Sequence, residues 1–153
     1  MADVLIIFHS QTGNTEKLAR AVVRGVAETE GARAVLRRAG DADAQDLKGC
    51  SALVICSPEY FGYMAGAIKG FFDRTYEELK DDASVKKKPF SVVISAGNDG
   101  SGALNSIERI CRGYRLKKVQ EPIICRGAIK EEMLARCVEL GSTIAEGVNA
   151  GIF

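Results

Sequence analysis

Residues 4 to 8, Val-Leu-Ile-Ile-Phe, are apolar without a break, and the chain turns polar directly after them. A strand with one wet face alternates polar and apolar side chains. A run that is apolar at every position reads instead as a strand covered on both faces, the situation of a parallel sheet between helices. From Thr15 the period changes: Leu18, Ala19, Val22, Val23 and Val26 recur at helical spacing up to Gly31, which reads as a helix stop. The first thirty residues are therefore a strand, a polar turn and a helix.

The unit repeats in kind. Ala34 to Leu36 is a short second strand, Leu53 to Cys56 a third, Phe90 to Ser95 a fourth behind Pro89, and Ile123 to Cys125 a fifth. Apolar stripes mark the intervening helices: Ala65, Ile68, Phe72, Tyr76 and Leu79, then Leu104, Ile107, Cys111 and Tyr114, then Met133, Cys137, Leu140, Ile144 and Val148. This alternation predicts an α/β fold, a doubly wound five-stranded parallel sheet with helices on both faces, in one domain over residues 1 to 153. Pro122, read as part of the last strand, puts that strand at an edge. Lys80 to Lys88 is the longest polar stretch and reads as a solvated loop.

Doubly wound sheets bind ligands at the carboxyl ends of strands, where the winding reverses. In the order 2-1-3-4-5 the reversal lies between strands one and three. The polar or glycine-rich loops after strands one, three and four (residues 9 to 14, 57 to 66 and 96 to 102) then surround one crevice.

Charge narrows the partners. With 21 Lys plus Arg against 20 Asp plus Glu, the net charge is +1. Nothing here neutralises a nucleic-acid backbone, and Lys86 to Lys88 is too short a basic run to do so. No apolar stretch is long enough to span a membrane. Five scattered cysteines without a CxxC pair, and the lone His9, predict buried reduced thiols and no metal site. Met1-Ala2-Asp3 carries no basic leader region, so a cytoplasmic location is expected.

The first loop, Ser10-Gln11-Thr12-Gly13-Asn14-Thr15, sets hydroxyls, amides and a glycine at the start of a helix, whose free N–H groups and dipole favour an anion. It has neither Gly-Lys-Ser/Thr nor G-x-G-x-x-G, so triphosphate and dinucleotide loops are excluded. A single phosphate held by neutral donors fits; one capping residue would be enough for an ordinary helix start. The second loop, Pro58-Glu59-Tyr60-Phe61-Gly62-Tyr63-Met64, offers flat apolar surface to a planar ring. The third, Ala96-Gly97-Asn98-Asp99-Gly100-Ser101-Gly102, can bring backbone N–H groups to a heterocycle. Together they describe a phosphorylated heteroaromatic ligand.

The Ser-x-Thr-Gly-Asn-Thr stretch resembles the phosphate signature of the flavodoxin superfamily. Residues 57 to 73, with Pro58, Tyr60, Gly62, Met64, Ala65, Gly66, Lys69, Phe72 and Asp73, are similar to the flavodoxin-like NAD(P)H-dependent quinone and FMN reductases. The resemblance implies FMN as cofactor, in the short form of the fold. Ser10, Thr12, Asn14 and Thr15 would hold the phosphate, with Gln11 and Gly13 of the same loop among the cofactor-binding residues. Pro58, Glu59, Tyr60, Phe61, Gly62 and Tyr63 would face the isoalloxazine, and Ala96, Gly97, Asn98, Asp99 and Gly102 would edge its pyrimidine side. The cofactor would carry the redox chemistry, without an acid–base catalytic residue. Gly62 is the position whose peptide can turn toward flavin N5, since glycine accepts either backbone sign. Glu59 or Asp99 close to the flavin would lower its potential; otherwise each is a solvated loop charge.

Two departures bear on function. Flavodoxins commonly flank the flavin with tryptophan and are strongly acidic; this chain has no tryptophan and stands at +1. Both favour an enzyme taking hydride from NAD(P)H and reducing a quinone or flavin. Small size and the lack of a second nucleotide site favour a carrier exchanging electrons with partner proteins. A flavin-free partner-binding module is the third reading. An oligomer is compatible with all three. A phosphoacceptor domain of the same strand order needs acids where this chain has His9-Ser10 and Ser57-Pro58.

Overall fold

The computed structural model describes residues 1 to 153. In chain order its elements are β1 (Ala2–Phe8), α1 (Asn14–Ala27), β2 (Ala32–Arg38), α2 (Ala44–Gly49), β3 (Ala52–Tyr60), β4 (Tyr63–Met64), α3 (Gly66–Leu79), β5 (Pro89–Ala96), α4 (Ser101–Gly113), β6 (Lys117–Lys118), β7 (Ile123–Arg126) and α5 (Glu131–Asn149). The parallel sheet runs β2-β1-β3-β5, with β6 and β7 both pairing the far side of β5. The predicted order 2-1-3-4-5 corresponds to β2-β1-β3-β5-β7.

The sheet has seven strands rather than five, for two reasons. The edge strand is split: β6 pairs Pro89 and Phe90, β7 pairs Val93 to Ala96, and Pro122 lies in the break just ahead of β7 rather than within a strand. A proline has no N–H to donate, so the ladder lapses there and resumes after it. The other addition is β4, which folds back antiparallel onto the end of β3, pairing Glu59 with Met64 and Tyr60 with Tyr63.

Side-chain alternation divides the core into two layers. Val4, Ile6 and Phe8 of β1 pack with Val54 and Cys56 of β3 beneath Leu18 and Val22 of α1 and Ile144 of α5. Leu5 and Ile7 pack with Leu53 and Ile55 beneath Ile68 and Phe72 of α3 and Ile107 of α4. Each such side chain, fully buried, stabilises by about 1.5–3 kcal/mol. On the first face α1 and α5 touch backbone to backbone: a Cβ on Gly25 would overlap the Val138 carbonyl oxygen, and one on Gly141 the Val22 carbonyl oxygen.

The polar stretch 80 to 88 is not wholly solvated. Val85 and Lys88 are buried, and Lys88 Nζ donates to the carbonyls of Leu47 at 2.5 Å and Lys48 at 3.0 Å. A cation there satisfies the free carbonyls at the end of α2. Burial lowers the pKa of that ammonium. The carboxyl ends of β1, β3 and β5 point the same way, and the three loops that follow them meet there.

Candidate functional site

The turn after β1 is shaped by Gly13, whose φ of 106° lies in the left-handed region open to glycine. Its N–H donates to Ser10 Oγ at 3.1 Å. The first amide bond of α1 runs from Lys17 N–H to the Gly13 carbonyl at 3.1 Å, so the amides of residues 14 to 16 precede the helical ladder and have no acceptor within it. Gln11, Thr12 and Asn14 are exposed around them, whereas Thr15 is buried, its Oγ1 hydrogen-bonded to Ser95 Oγ at 2.8 Å. That bond ties the turn to the end of β5. The acid in the first turn, Glu16, pairs with Arg20 at 2.9 Å and Arg38 at 3.4 Å.

The second loop is a hairpin. β3 does not stop at Cys56 but continues through Tyr60, and only Phe61 and Gly62 connect it to β4. Both have positive φ, 54° and 72°, as a two-residue hairpin turn of the type that matches strand twist requires. A non-glycine residue in this conformation costs on the order of 1–2 kcal/mol, and the Phe61 ring stands fully in solvent.

Three contacts fasten this hairpin to α4. The Glu59 carboxylate accepts from the N–H of Gly100 at 3.0 Å and of Ala103 at 3.1 Å, so it is neither a solvated loop charge nor a free one: it caps α4 from across the crevice. Ser106 Oγ accepts from Met64 N–H at 3.2 Å. Gly102 lies within the first turn of α4, where the Gly62 carbonyl oxygen occupies the space a side chain would need. At the base of the hairpin, buried Ser57 donates to the Pro58 carbonyl at 2.7 Å and accepts from Ala65 N–H at 3.0 Å.

These parts enclose a cavity of about 290 Å³, close to the lower limit of ligand pockets at roughly 300 Å³. Of the residues singled out by sequence, Ser10, Gln11, Thr12, Asn14, Thr15, Pro58, Glu59, Tyr60, Ala96 and Gly97 line it. Tyr60 Oη donates to Gln11 Oε1 at 3.2 Å, closing one side, and its ring meets His9 edge to face at 6.0 Å. Gly13, Phe61, Gly62, Tyr63, Asn98, Asp99 and Gly102 lie outside the lining. Asp99 accepts from Ser101 Oγ and gives its own carbonyl to Arg126 Nε at 2.7 Å, which holds it on the outer side of its loop.

Ser95 and Gly127 line the cavity and were not singled out by sequence. Ser95 is the polar end of the apolar run Val92-Val93-Ile94, a signal available in the sequence. Gly127 follows the last strand, whose loop gave no glycine-rich or aromatic pattern. All five cysteines are buried and unpaired. Burial raises the Cys56 thiol far above its ordinary pKa and leaves it un-ionised. No group of three His, Cys, Asp or Glu side chains converges as a metal set.

In solved structures, a WrbA-like flavodoxin protein from Agrobacterium tumefaciens superposes with a TM-score of 0.82 at 17% identity, covering 98% of this chain and 99% of that one. Rubredoxin oxygen:oxidoreductase from Desulfovibrio gigas superposes with a TM-score of 0.84 at 16% identity, covering 98% of this chain and 37% of that one. At such identities the likeness is one of fold. A flavodoxin of Aquifex aeolicus (strain VF5) is 33% identical over 79 residues, which cover 52% of this chain and 43% of that protein, so the match spans less than half of its length. The family model described as Flavodoxin matches residues 6 to 141, and the chain belongs to the flavodoxin family.

Proposed function

We propose that the chain, as a single flavodoxin-like unit over residues 1 to 153, holds FMN in the 290 Å³ cavity and serves as an electron carrier between partner proteins. FMN is the cofactor of the flavodoxin family. The observation that carries the reading is the convergence of unlike surfaces on one space: amides 14 to 16 without helical acceptors, the Tyr60 ring, and the backbone at Ala96 and Gly97. The donor set fits a phosphate. It is neutral throughout, it stands at the positive end of a helix of 14 residues, and the acid of that helix's first turn, Glu16, is paired with two arginines.

Bound flavin supplies one- and two-electron chemistry, and the chain supplies position and electrostatics. Thr12 and Asn14, exposed at the turn, would bond the phosphate from outside it, while Thr15 supports the turn from beneath through Ser95. Tyr60 and the hairpin backbone would face the ring. Glu59 brings a fixed carboxylate to the cavity wall, where it would disfavour added negative charge on a bound flavin and so lower its potential.

The second reading, an NAD(P)H-dependent reductase of quinones or flavins, draws on Phe61. Its ring stands out in solvent instead of folding over the cavity, which would leave a bound flavin open to a planar hydride donor. Anaerobic mixing of FMN-loaded protein with NADH or NADPH separates the two. The carrier reading expects the flavin spectrum to persist for minutes and stepwise chemical reduction to proceed in one-electron stages. Rapid bleaching by either nucleotide would establish the reductase instead.

A further inference from the structure

A groove larger than the flavin cavity, about 690 Å³, runs between α3 and α4. Its floor is Phe72 and Tyr114, both buried, whose rings lie 5.4 Å apart; Tyr76 meets Tyr114 at 5.3 Å from the rim. The floor is rigid, because Tyr114 Oη donates to the Phe72 carbonyl at 2.6 Å and is hydrogen-bonded to Thr75 Oγ1 at 2.8 Å. Five large hydrophobic side chains of the chain are exposed. Two are terminal, Met1 and Ile152; of the other three, Tyr63 and Tyr76 line this groove and Phe61 stands two residues from Tyr63. Exposed aromatic area concentrated in one place marks a binding surface.

The polar wall is equally uneven. On the α3 side the charges cancel locally, Lys69 with Asp73 at 2.7 Å and Glu77 with Lys80 at 2.7 Å. On the α4 side Ser106 is engaged with the Ala103 carbonyl, but Asn105 and Arg109, which also line the groove, make no hydrogen bond or ion pair within the chain. An uncompensated guanidinium beside a free carboxamide, above an aromatic floor, matches a flat ring bearing a carboxylate: the ring stacks, and the carboxylate takes the forked N–H donors of the arginine.

We propose that the groove between α3 and α4 is a second ligand site, distinct from the flavin cavity, that takes a small planar aromatic carboxylate with its ring against the exposed Tyr63 and Tyr76, above the buried Phe72 and Tyr114, and its carboxylate on Arg109 and Asn105. The β3–β4 hairpin is shared by both sites, contributing Pro58, Glu59 and Tyr60 to the cavity and Tyr63 to the groove, and Ser106 of the groove wall binds its Met64 amide.

The test is an amide NMR titration of FMN-loaded protein with 1-naphthoate and, separately, with the uncharged 1-naphthalenemethanol. Expected are saturable shifts at Tyr63, Tyr76, Arg109 and Tyr114, with 1-naphthoate the tighter ligand. Arg109→Gln, an exposed change, should weaken 1-naphthoate about tenfold and the alcohol by less than about twofold, the difference of one charge-assisted contact. Equal affinity for the two compounds overturns the proposal, as do shifts confined to residues 10–15 and 95–97. So does a dimer in sedimentation whose dissociation on dilution moves the same amides, since a second copy would then fill the groove.

Discussion

Gly102 has no side chain because the Gly62 carbonyl lies where one would be, and that contact decides how the hairpin meets α4. In sequence the two glycines read as cofactor contacts of two separate loops. In the structure they touch each other, with Glu59 bonding the same helix terminus alongside. The Gly62 peptide can turn toward the cavity only by leaving Gly102, so the helix sets the starting position of that peptide. Gly102→Ala should push the Gly62 carbonyl away and overpack the junction, lowering stability by about 1–3 kcal/mol in urea unfolding. It should also shift the midpoint potential of bound FMN, which damage remote from the cavity would leave unchanged. Stability and potential both within error of the parent would refute the contact. The Phe61 backbone shows the limit of sequence at this scale: a bulky aromatic with φ of 54° obeys no propensity, and only the two-residue turn demanded by the Tyr60–Tyr63 pairing puts it there.

Elements with strong periodicity were legible. β1, α1, α3 and α5 stand close to where the apolar runs and stripes put them, and the parallel sheet follows from the alternation, whereas the order of its main strands is one of more than one that such a sheet can take. Short elements were not. α2 has six residues, too few for a helical stripe, and its one signal is the reciprocal cap between Asp43 and Asp46, each side chain accepting from the other's backbone N–H at 3.0 Å. β3 runs four residues beyond its apolar stretch because Ser57 to Tyr60 remain extended against β5 and then β4, a pairing made by neighbours and not by composition. The α1–α5 approach was equally hidden, since Gly25 and Gly141 look like weak helix positions until the two backbones are seen in contact. Gly25→Ala should cost about 1–3 kcal/mol by forcing the helices apart. Gly141→Ala should cost a similar amount, and the double variant should lose less than the sum, because one separation relieves both clashes. Strict additivity in urea unfolding would mean that the two sites do not share an interface.

At the scale of the molecule, the buried acids set an alkaline limit. Burial lifts Cys50 to about 11, Cys137 to about 12 and Tyr114 to about 12. Unfolded, the thiols ionise near 9 and the phenol near 10, so the folded state keeps its protons longer. That stability is fully present below about pH 8 and is lost as the pH climbs from 9 toward 12, by about 1.4 kcal/mol per pH unit for each group so held. Thermal midpoints should be level from pH 7 to 8 and fall with increasing slope above 9; a level profile to pH 11 would contradict it. The near balance of charge, 21 against 20, departs from the acidic pattern the resemblance implies, and the proposed phosphate loop, residues 10 to 15, carries no charged side chain. FMN and riboflavin differ only in the phosphate, so their relative affinity isolates that loop. Fluorescence titration of the flavin-free protein should show FMN binding at least about a hundredfold tighter than riboflavin, with the gap narrowing in Thr12→Val and Asn14→Ala through loss of phosphate bonds. Equal affinity for the two flavins would contradict the account.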